Sequence, residues 1–211
     1  MMLKLSLVRH GETEWNAQHR YQGQSDVPLS SVGRKQVELL ARHLRGAKFD
    51  AIYASDLKRA WETARIIAAG LGAEIIPEPC LREMSFGVLE GLTFDEAQAQ
   101  YPDVIAAWLK DYNHPPPEGE MLDAFSGRVL SLLDDLQKKH AEQHVLLVAH
   151  GGPLSEMVRL VIGIPPERRW SFAMDNASIS ELWLGDDDYP LLKKLNETCH
   201  LMVLEKREQA D

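Results

Sequence analysis

The sequence predicts a three-layer α/β/α sandwich whose central sheet is mostly parallel. Two distant apolar segments, residues 3–8 and 144–149, have the length and composition of buried strands. The first is followed by Arg9-His10-Gly11 and the second by His150-Gly151, so a His-Gly pair lies at the end of both. Amphipathic helical segments alternate with short apolar ones along the chain, which is the order that builds a parallel sheet covered by helices. At 211 residues, the chain suits a single domain, residues 1–211.

The first half of the chain supplies the elements that follow the first strand. A polar loop comes first, and Ser31 is expected to cap the next helix because apolar residues recur behind it at helical spacing. Ser55 and Asp56 are expected to cap a second helix. The predicted order is helix at 31–44, strand at 49–54, helix at 55–69 and strand at 74–77.

Residues 93–119 are predicted to form a small helical cap inserted into the domain. Thr93 and Glu96 have the spacing of a capping box, and Pro102 is expected to open a second helix that reaches about Tyr112. Three consecutive prolines at 115–117 then break the chain. Because the segment is short, we interpret it as a lid over a site and not as an independent domain.

The last third of the chain completes the sheet. An amphipathic helix is marked by Phe125, Val129, Leu132, Leu133 and Leu136, and it leads into the strand before His150. Pro153 fits the first turn of the next helix, which should end near Ile162. The final predicted elements are strands at 179–184 and 191–195, joined by an acidic turn at 185–188.

Composition excludes several classes of function. The formal charge is −9 and no lysine- or arginine-rich tract is present, which disfavours nucleic acid or an anionic membrane surface as a partner. No apolar run approaches the roughly 20 residues of a membrane span, and none suits a signal peptide, so we expect a cytoplasmic protein. Cys80 and Cys199 lack the spacing of metal ligands and are expected to be buried or partly buried free thiols.

Two strand ends are predicted to meet at one edge of the sheet. Arg9 and His10 follow the first strand and His150 follows the later one, while Arg59 lies one turn into the helix at 55–69. In open α/β sheets, ligands bind where the carboxyl ends of the strands lie. Two guanidinium groups and two imidazoles suit a tetrahedral oxyanion, so the sequence predicts a pocket for a phosphoryl group.

This residue set suggests a mechanism. Neutral His10 could attack phosphorus, while Arg9, Arg59 and a protonated His150 would stabilise the charge on the phosphoryl oxygens. The leaving alkoxide needs a proton, and Glu83, in a glycine-flanked loop, is the candidate acid. The same carboxylate would then take a proton from the attacking water.

Four motifs resemble one known family. The run from Leu7 to Asn16, which contains Arg9-His10-Gly11, closely resembles the signature of the histidine phosphatase superfamily in its phosphoglycerate-mutase-like branch. Residues 55–60 resemble that family's second arginine site, residues 81–91 its acid loop and residues 148–152 its second histidine. The motifs occur in the family's order and the resemblance covers nearly the whole chain. Two further segments, residues 117–120 and 196–201, are also typical of it.

The resemblance implies roles for individual residues. It makes His10 the phosphorylated nucleophile and Glu83 the proton donor, with Arg9, Arg59 and His150 as the phosphate clamp. It also implies that further residues line the phosphate site, namely Asn16, Gln22, Gly23 and Gly151. The expected reaction needs no metal and no cofactor, and the expected ligand is a small phosphorylated metabolite. Dimers are common among related enzymes, so a homodimer stays open.

The substrate is less closely defined than the chemistry. The acid loop and the short chain resemble small-molecule phosphatases, and phosphoserine phosphatases and α-ribazole phosphatases are close in pattern. The segments 170–172, 175–178 and 196–201 favour the phosphoserine type, whereas Phe86 and Met121 depart from the expected residues. A cofactor-dependent phosphoglycerate mutase is the alternative enzyme. A non-catalytic phosphate-binding protein is the alternative from another class, although the catalytic set is intact.

The other histidines have no catalytic pattern of their own. His140 and His144 have the i, i+4 spacing of helical zinc ligands, but they straddle a helix-to-strand junction and are expected to be exposed and unligated. His200 could either touch the active-site side or cap the last strand. The remaining ones, His19, His43 and His114, are expected on the surface.

Overall fold

One mixed sheet of six strands organises the protein. The computed structural model describes residues 2–169, 171–185 and 190–202. Within these residues the sheet has the order β3-β2-β4-β1-β5-β6. Strands β1 to β4 are parallel, and β5 and β6 are added antiparallel at one edge. The strands are β1 Met2–Arg9, β2 Ala51–Ala54, β3 Ile75–Pro77, β4 His144–Ala149, β5 Ile179–Gly185 and β6 Leu191–Glu197.

Helices cover both faces of the sheet. The helices in the described part of the chain are α1 Glu14–Ala17, α2 Ser31–His43, α3 Lys58–Ala69, α4 Phe94–Gln100, α5 Pro102–Lys110, α6 Leu122–Lys139 and α7 Gly151–Ile162. Because side chains alternate along a strand, Leu7 and Leu147 pack against α6 and α7, whereas Val8 and Val148 pack against α2 and α3. The predicted three-layer fold is therefore confirmed.

The register of the central strands sets up the site. Arg9 on β1 pairs with Ala149 on β4, so His10 and His150 each follow directly after neighbouring parallel strands. Both side chains consequently lie at the carboxyl edge of the sheet. The proximity of the two histidines was predicted from their strands, and their ring centroids lie 5.0 Å apart.

Two predicted helix caps were wrong. Ser30, not Ser31, caps α2, because its Oγ accepts a hydrogen bond from Gly33 N at 2.9 Å. Helix α3 begins at Lys58 without a side-chain cap. Ser55 and Asp56 instead make long-range contacts: Ser55 Oγ bonds His150 Nε2 at 2.9 Å, and Asp56 accepts a hydrogen bond from Arg82.

Residues 93–119 contain two short helices that share a small apolar cluster with Leu89 and with the rings of Tyr21 and Phe86. The Thr93–Glu96 capping box is present at the start of α4, and α5 ends at Lys110, slightly earlier than predicted. Trp108 packs against the rings of Tyr21 and Phe86, at centroid distances of 5.8 and 5.7 Å. The segment's proposed function as a lid stays a prediction.

Several peripheral expectations are corrected. Cys80 is half-buried as expected, but Cys199 is exposed, and both are free thiols. His140 and His144 are partly buried and not exposed. Tyr53 OH lies within hydrogen-bond distance of His140 Nε2, and Ser6 Oγ of His144 Nε2, both at 2.9 Å. Residues 170 and 186–188, used above for the substrate and for the acidic turn, lie outside the described residues. None of the helices that the structure describes is both long and apolar enough to cross a bilayer.

Candidate active site

His10 is buried at the end of β1 and is held in one orientation. Its Nδ1 lies 2.7 Å from Gly11 O, and a carbonyl oxygen can only accept, so Nδ1 carries the proton. Nε2 therefore keeps its lone pair. Burial is the main cause that lowers the pKa of His10 well below its usual value, and the positive charges of Arg59 and Arg9 add to it. The ring is therefore neutral at neutral pH.

Gly11 is a glycine because helices pack closely on both of its sides. A Cβ atom at this position would lie 2.6 Å from Gly33 O and 2.7 Å from Val37 Cγ2 of α2. On the other side, Gly11 N donates to Thr63 Oγ1 at 3.2 Å, and Thr63 donates to Arg59 O at 2.7 Å. These contacts fix the turn that orients the His10 ring.

Arg59 is fully buried and connects three parts of the site. Its Nε donates to His150 Nδ1 at 3.1 Å, and its Nη1 and Nη2 donate to Ser25 O and Gly23 O at 2.8 and 2.7 Å. Burial lowers the pKa of Arg59 to about 10, with Glu83 the largest opposing influence, so it stays charged at neutral pH. The guanidinium therefore supplies a fixed positive charge beside the two imidazoles.

His150 is a neutral ring, contrary to the expectation that it is protonated. Nδ1 accepts from Arg59, so Nε2 carries the proton and donates to Ser55 Oγ. Burial is the main cause that lowers the pKa of His150 well below its usual value, followed by the charge of Arg59. With both nitrogens engaged, His150 orients Arg59 and packs against His10.

Arg9 holds a second positive charge next to His10. Its Nη1 donates to Met174 O, whereas its buried Nε has no hydrogen-bond partner in the described protein. Burial lowers the pKa of Arg9, and Glu83 and Asp175 oppose that shift. An unsatisfied buried N–H is costly, so this group is a ready donor for an oxyanion.

Glu83 lies in the loop before Gly87–Leu89 and is positioned by backbone donors. Its Oε1 accepts from Met84 N at 2.9 Å and its Oε2 from Gly152 N at 3.1 Å, at the first turn of α7. A Cβ on Gly152 would come within 3.0 Å of Glu83 Cδ, so only glycine leaves room for the carboxylate. The acid candidate therefore depends on a glycine from the His150 motif.

A polar loop completes the opposite wall. Asn16 Oδ1 accepts from Thr13 N at 3.1 Å and from Asn176 Nδ2 at 3.2 Å, which leaves its amide NH₂ as a donor. Gln22 Oε1 likewise accepts from Thr13 Oγ1 at 3.0 Å. Gly23 has a φ of +51°, which suits glycine, and its carbonyl receives Arg59.

These groups surround a cavity of about 180 Å³. Seven of the predicted residues line it, namely Arg9, His10, Asn16, Gln22, Gly23, Arg59 and Glu83. His150 and Gly151 lie behind this surface and not on it. The cavity combines a neutral imidazole with cationic and amide donors, which suits in-line attack on a bound phosphoryl group.

Sequence comparison agrees with this geometry. The sequence profile of the histidine phosphatase superfamily (branch 1) matches residues 5–198. The chain belongs to this superfamily.

Relatives in the superfamily carry more than one enzyme name. Phosphoserine phosphatase 1 of Hydrogenobacter thermophilus is 38% identical over 201 residues, which cover 95% of each chain. A Yersinia enterocolitica protein named probable phosphoglycerate mutase GpmB is 35% identical over 216 residues, again covering 95% of each. The crystal structure of the α-ribazole phosphatase from Shigella flexneri matches with a TM-score of 0.85 and 32% identity, covering 92% of this chain and 96% of that one. Its superfamily and its phosphatase relatives identify this chain as a hydrolase of the phosphatase type.

Sequence reasoning missed several residues of this histidine phosphatase site. Arg20 and Tyr21 also line the cavity, and Arg20 is paired with Glu96 of α4. Glu90 connects the two walls, because its carboxylate accepts from Ser25 N at 2.8 Å and from Phe86 N at 3.1 Å. The position of Glu90 in the acid loop was the signal that could have indicated this role.

Arg128 of α6 is a second missed positioning residue. It donates to the backbone oxygens of Arg82 at 2.8 Å and Glu83 at 3.1 Å, and it forms an ion pair with Glu120. Nothing in the amphipathic pattern of α6 distinguishes Arg128 from other polar residues of that helix. His200 was left open between two roles. Its Nε2 donates to Ala177 O at 3.0 Å, and it is not among the residues that line the cavity.

Proposed function

We propose that this protein hydrolyses small phosphate monoesters through a phosphohistidine at His10. The observation that carries the proposal is the state of the His10 ring, which is neutral, has its proton on Nδ1 and leaves Nε2 free beside the partly buried Arg9 and the fully buried Arg59. A histidine in this state is a nucleophile and not an acid.

The first step transfers the phosphoryl group to the enzyme. The Nε2 lone pair of His10 forms a bond to phosphorus while the phosphorus–oxygen bond to the leaving group breaks. Protonated Glu83 gives its proton to the leaving oxygen, so an alcohol departs. Arg9 and Arg59 stabilise the equatorial oxygens, and Gly11 O stabilises the positive charge on the ring through the Nδ1 proton.

The second step returns the enzyme to its starting state. The Glu83 carboxylate takes a proton from a water molecule, whose oxygen forms the new bond to phosphorus. The phosphorus–Nε2 bond breaks and its electron pair returns to the ring. Inorganic phosphate leaves, and Glu83 is again protonated for the next cycle.

For the substrate, we propose a small metabolite of the phosphoserine or α-ribazole phosphate type. The phosphoserine phosphatase from Hydrogenobacter and the α-ribazole phosphatase structure support this range. Tyr21 and Phe86 stand on the cavity wall and pack against Trp108 of the cap segment, so the substrate would meet an aromatic surface beyond the phosphate.

A phosphoglycerate mutase is the second candidate. The Yersinia relative with the mutase name favours it. A mutase would use the same phospho-His10 but return the phosphoryl group to a second hydroxyl, which requires that water be kept out.

A substrate panel separates the two functions. Phosphate release is measured in excess EDTA from p-nitrophenyl phosphate, phosphoserine, α-ribazole phosphate and 3-phosphoglycerate, with His10→Ala as the matched control. Release that disappears with His10→Ala supports the phosphatase proposal. Isomerisation of 3-phosphoglycerate with 2,3-bisphosphoglycerate, without net phosphate release, would favour the mutase. Equal release by wild type and His10→Ala would refute the nucleophile.

A further inference from the structure

A second cluster of reactive side chains lies outside the catalytic cavity. His43 is the last residue of α2, and Cys199 and His200 lie in the short 3₁₀ segment Cys199–Leu201 that follows β6. One potential ligand atom from each of these three side chains lies within 4.8 Å of the other two. We infer that these three side chains, together with the neighbouring Glu197, form a binding site for a zinc-class divalent cation.

His200 has the orientation of a metal ligand. Its Nε2 lies 3.0 Å from Ala177 O, which can only accept, so Nε2 carries the proton and Nδ1 has the free lone pair. Nδ1 is buried and has no hydrogen-bond partner among the described atoms. Histidines that bind metals commonly donate their other N–H to a backbone carbonyl, because this fixes the tautomer and the ring orientation. A cation bound at Nδ1 would therefore satisfy the lone pair of this nitrogen, which has no other partner in the part of the chain that the structure describes.

Glu197 lies beside two of the three side chains, His43 and Cys199, although it is outside the group whose ligand atoms all lie within 4.8 Å of one another. Its Oε1 lies 3.7 Å from His43 Nε2 and 3.1 Å from Cys199 Sγ. The other oxygen, Oε2, faces away toward Lys194 Nζ at 3.5 Å. Two imidazoles, a thiol and a carboxylate are the ligand types that a tetrahedral zinc site uses.

The geometry requires only a small closure. Zinc–nitrogen and zinc–sulfur bonds of about 2.0 and 2.3 Å place tetrahedral ligands about 3.4–3.6 Å apart. The present separations, all within 4.8 Å, exceed this by at most about 1.4 Å. His43 and Cys199 are exposed and can rotate inward, whereas His200 is held by its backbone bond. On binding, the Cys199 thiol loses its proton to solvent and the thiolate bonds the cation.

The backbone under the cluster is already fixed. Leu201 packs into the apolar cluster that contains Val37 and Leu40 of α2, and Leu201 N donates to Thr198 O at 2.8 Å. The cation would therefore join the end of α2 to the segment after β6 without refolding either one. None of the four side chains lines the cavity around His10, so the reaction proposed above does not pass through this cation.

The test uses reduced, EDTA-stripped full-length protein and two metals. Co²⁺ is titrated while the cobalt–thiolate charge-transfer absorption is recorded, and Zn²⁺ is then added as a competitor. We expect one ion per chain and loss of the cobalt signal with zinc. Zinc at a hundredfold excess over its dissociation constant should raise the melting temperature by about 5–10 °C.

The variants assign the ligands. Cys199→Ser should abolish the charge-transfer signal, and His43→Ala should weaken cobalt binding at least tenfold. Both side chains are exposed, so neither variant should unfold the protein. Cys80→Ser and His114→Ala are matched controls, because the first changes the other thiol and the second an exposed histidine elsewhere. Both controls should bind cobalt as the wild type does.

Three results would overturn the inference. The first is no saturable binding, which would leave the cluster as a set of hydrogen bonds and a ring contact. The second is binding that Cys199→Ser and His43→Ala do not change. The third is one cation bound between two chains, which mass measurement of the complex would detect.

Discussion

Gly152→Ala is the substitution that should separate acid catalysis from phosphate binding. Gly152 is at the first turn of α7, where its N–H donates to Glu83 Oε2 at 3.1 Å. An added Cβ would lie 3.0 Å from Glu83 Cδ and closer still to Oε1. The far end of a flexible side chain can move, so we expect the fold to persist and the carboxylate to be displaced.

The size of the effect follows from that displacement. Carbon atoms in contact are normally about 3.5–4.0 Å apart, so the Glu83 carboxyl carbon must move by about 0.5–1 Å, and Oε1 by more. A misplacement of about 1 Å in a catalytic group costs roughly 10²-fold in rate. General acid catalysis as a whole contributes about 10²–10⁴-fold, so the expected loss is a large part of that contribution.

Two substrates with different leaving groups distinguish the cause. Phosphoserine has an alkoxide leaving group that needs a proton, and kcat should fall about 10²-fold in Gly152→Ala. The p-nitrophenolate leaving group is stable without a proton, so formation of the phosphoenzyme, followed as a p-nitrophenol burst, should change little. Gly127→Ala is the matched control, because no atom outside the adjacent residues and the helix's own backbone lies within 4 Å of a Cβ at that position.

An unchanged phosphoserine rate in Gly152→Ala would refute the role given to Glu83. An equal loss in the phosphoserine rate and in the p-nitrophenol burst would also contradict it, since that pattern indicates a damaged phosphate site. Melting temperatures of both glycine variants should stay near that of the wild type, which shows that the kinetic change is local.

Three further predictions concern Arg59, Arg128 and His10. Arg59→Lys keeps the charge but loses the planar donors to His150, so kcat/KM for p-nitrophenyl phosphate should fall about 10²-fold. Arg128→Met removes backbone anchors below Glu83, and urea unfolding should show a loss of about 2–3 kcal/mol. The pKa of His10 is lowered in the folded protein, so the unfolded state binds more protons in mild acid and stability falls as the pH drops below 6.5. From pH 6.5 to 5.5 this loss is about 1 kcal/mol for His10, and His10→Asn should reduce the measured pH dependence by that amount.

Each of these predictions has an opposing result. A lysine variant with wild-type kcat/KM would show that charge alone suffices at position 59. If Arg128→Met has the same free energy of unfolding as the wild type, the acid loop does not depend on that anchor. The same fall in stability in wild type and in His10→Asn would assign the pH dependence to other groups, and the lowered pKa values of His150, His144 and His200 make them the next candidates.

The sequence predicted what depends on strand order and local pattern. Apolar runs that end in His-Gly located His10 and His150, and their adjacency follows from two strands pairing in parallel. Side-chain partners across the fold were not predictable in this way. Ser55 looks like a helix cap in the sequence, yet its hydroxyl bonds His150. The local pattern could not indicate this bond, because the two residues are 95 positions apart. Arg128 is similar: its role becomes visible only when α6 lies beneath the Glu83 loop.

The phosphohistidine is the central claim, and trapping it is the most direct test. Glu83→Gln cannot activate water, so p-nitrophenyl phosphate should still phosphorylate His10 while hydrolysis of the intermediate slows. The reaction is quenched in alkali, where phosphohistidine survives, and the phosphorylated peptide is identified by mass spectrometry. We expect one phosphoryl group on the peptide that contains His10, released by acid and absent in the double variant that also carries His10→Ala. Turnover with no phosphorylated His10 at any time, or a phosphoryl group on another residue, would contradict it.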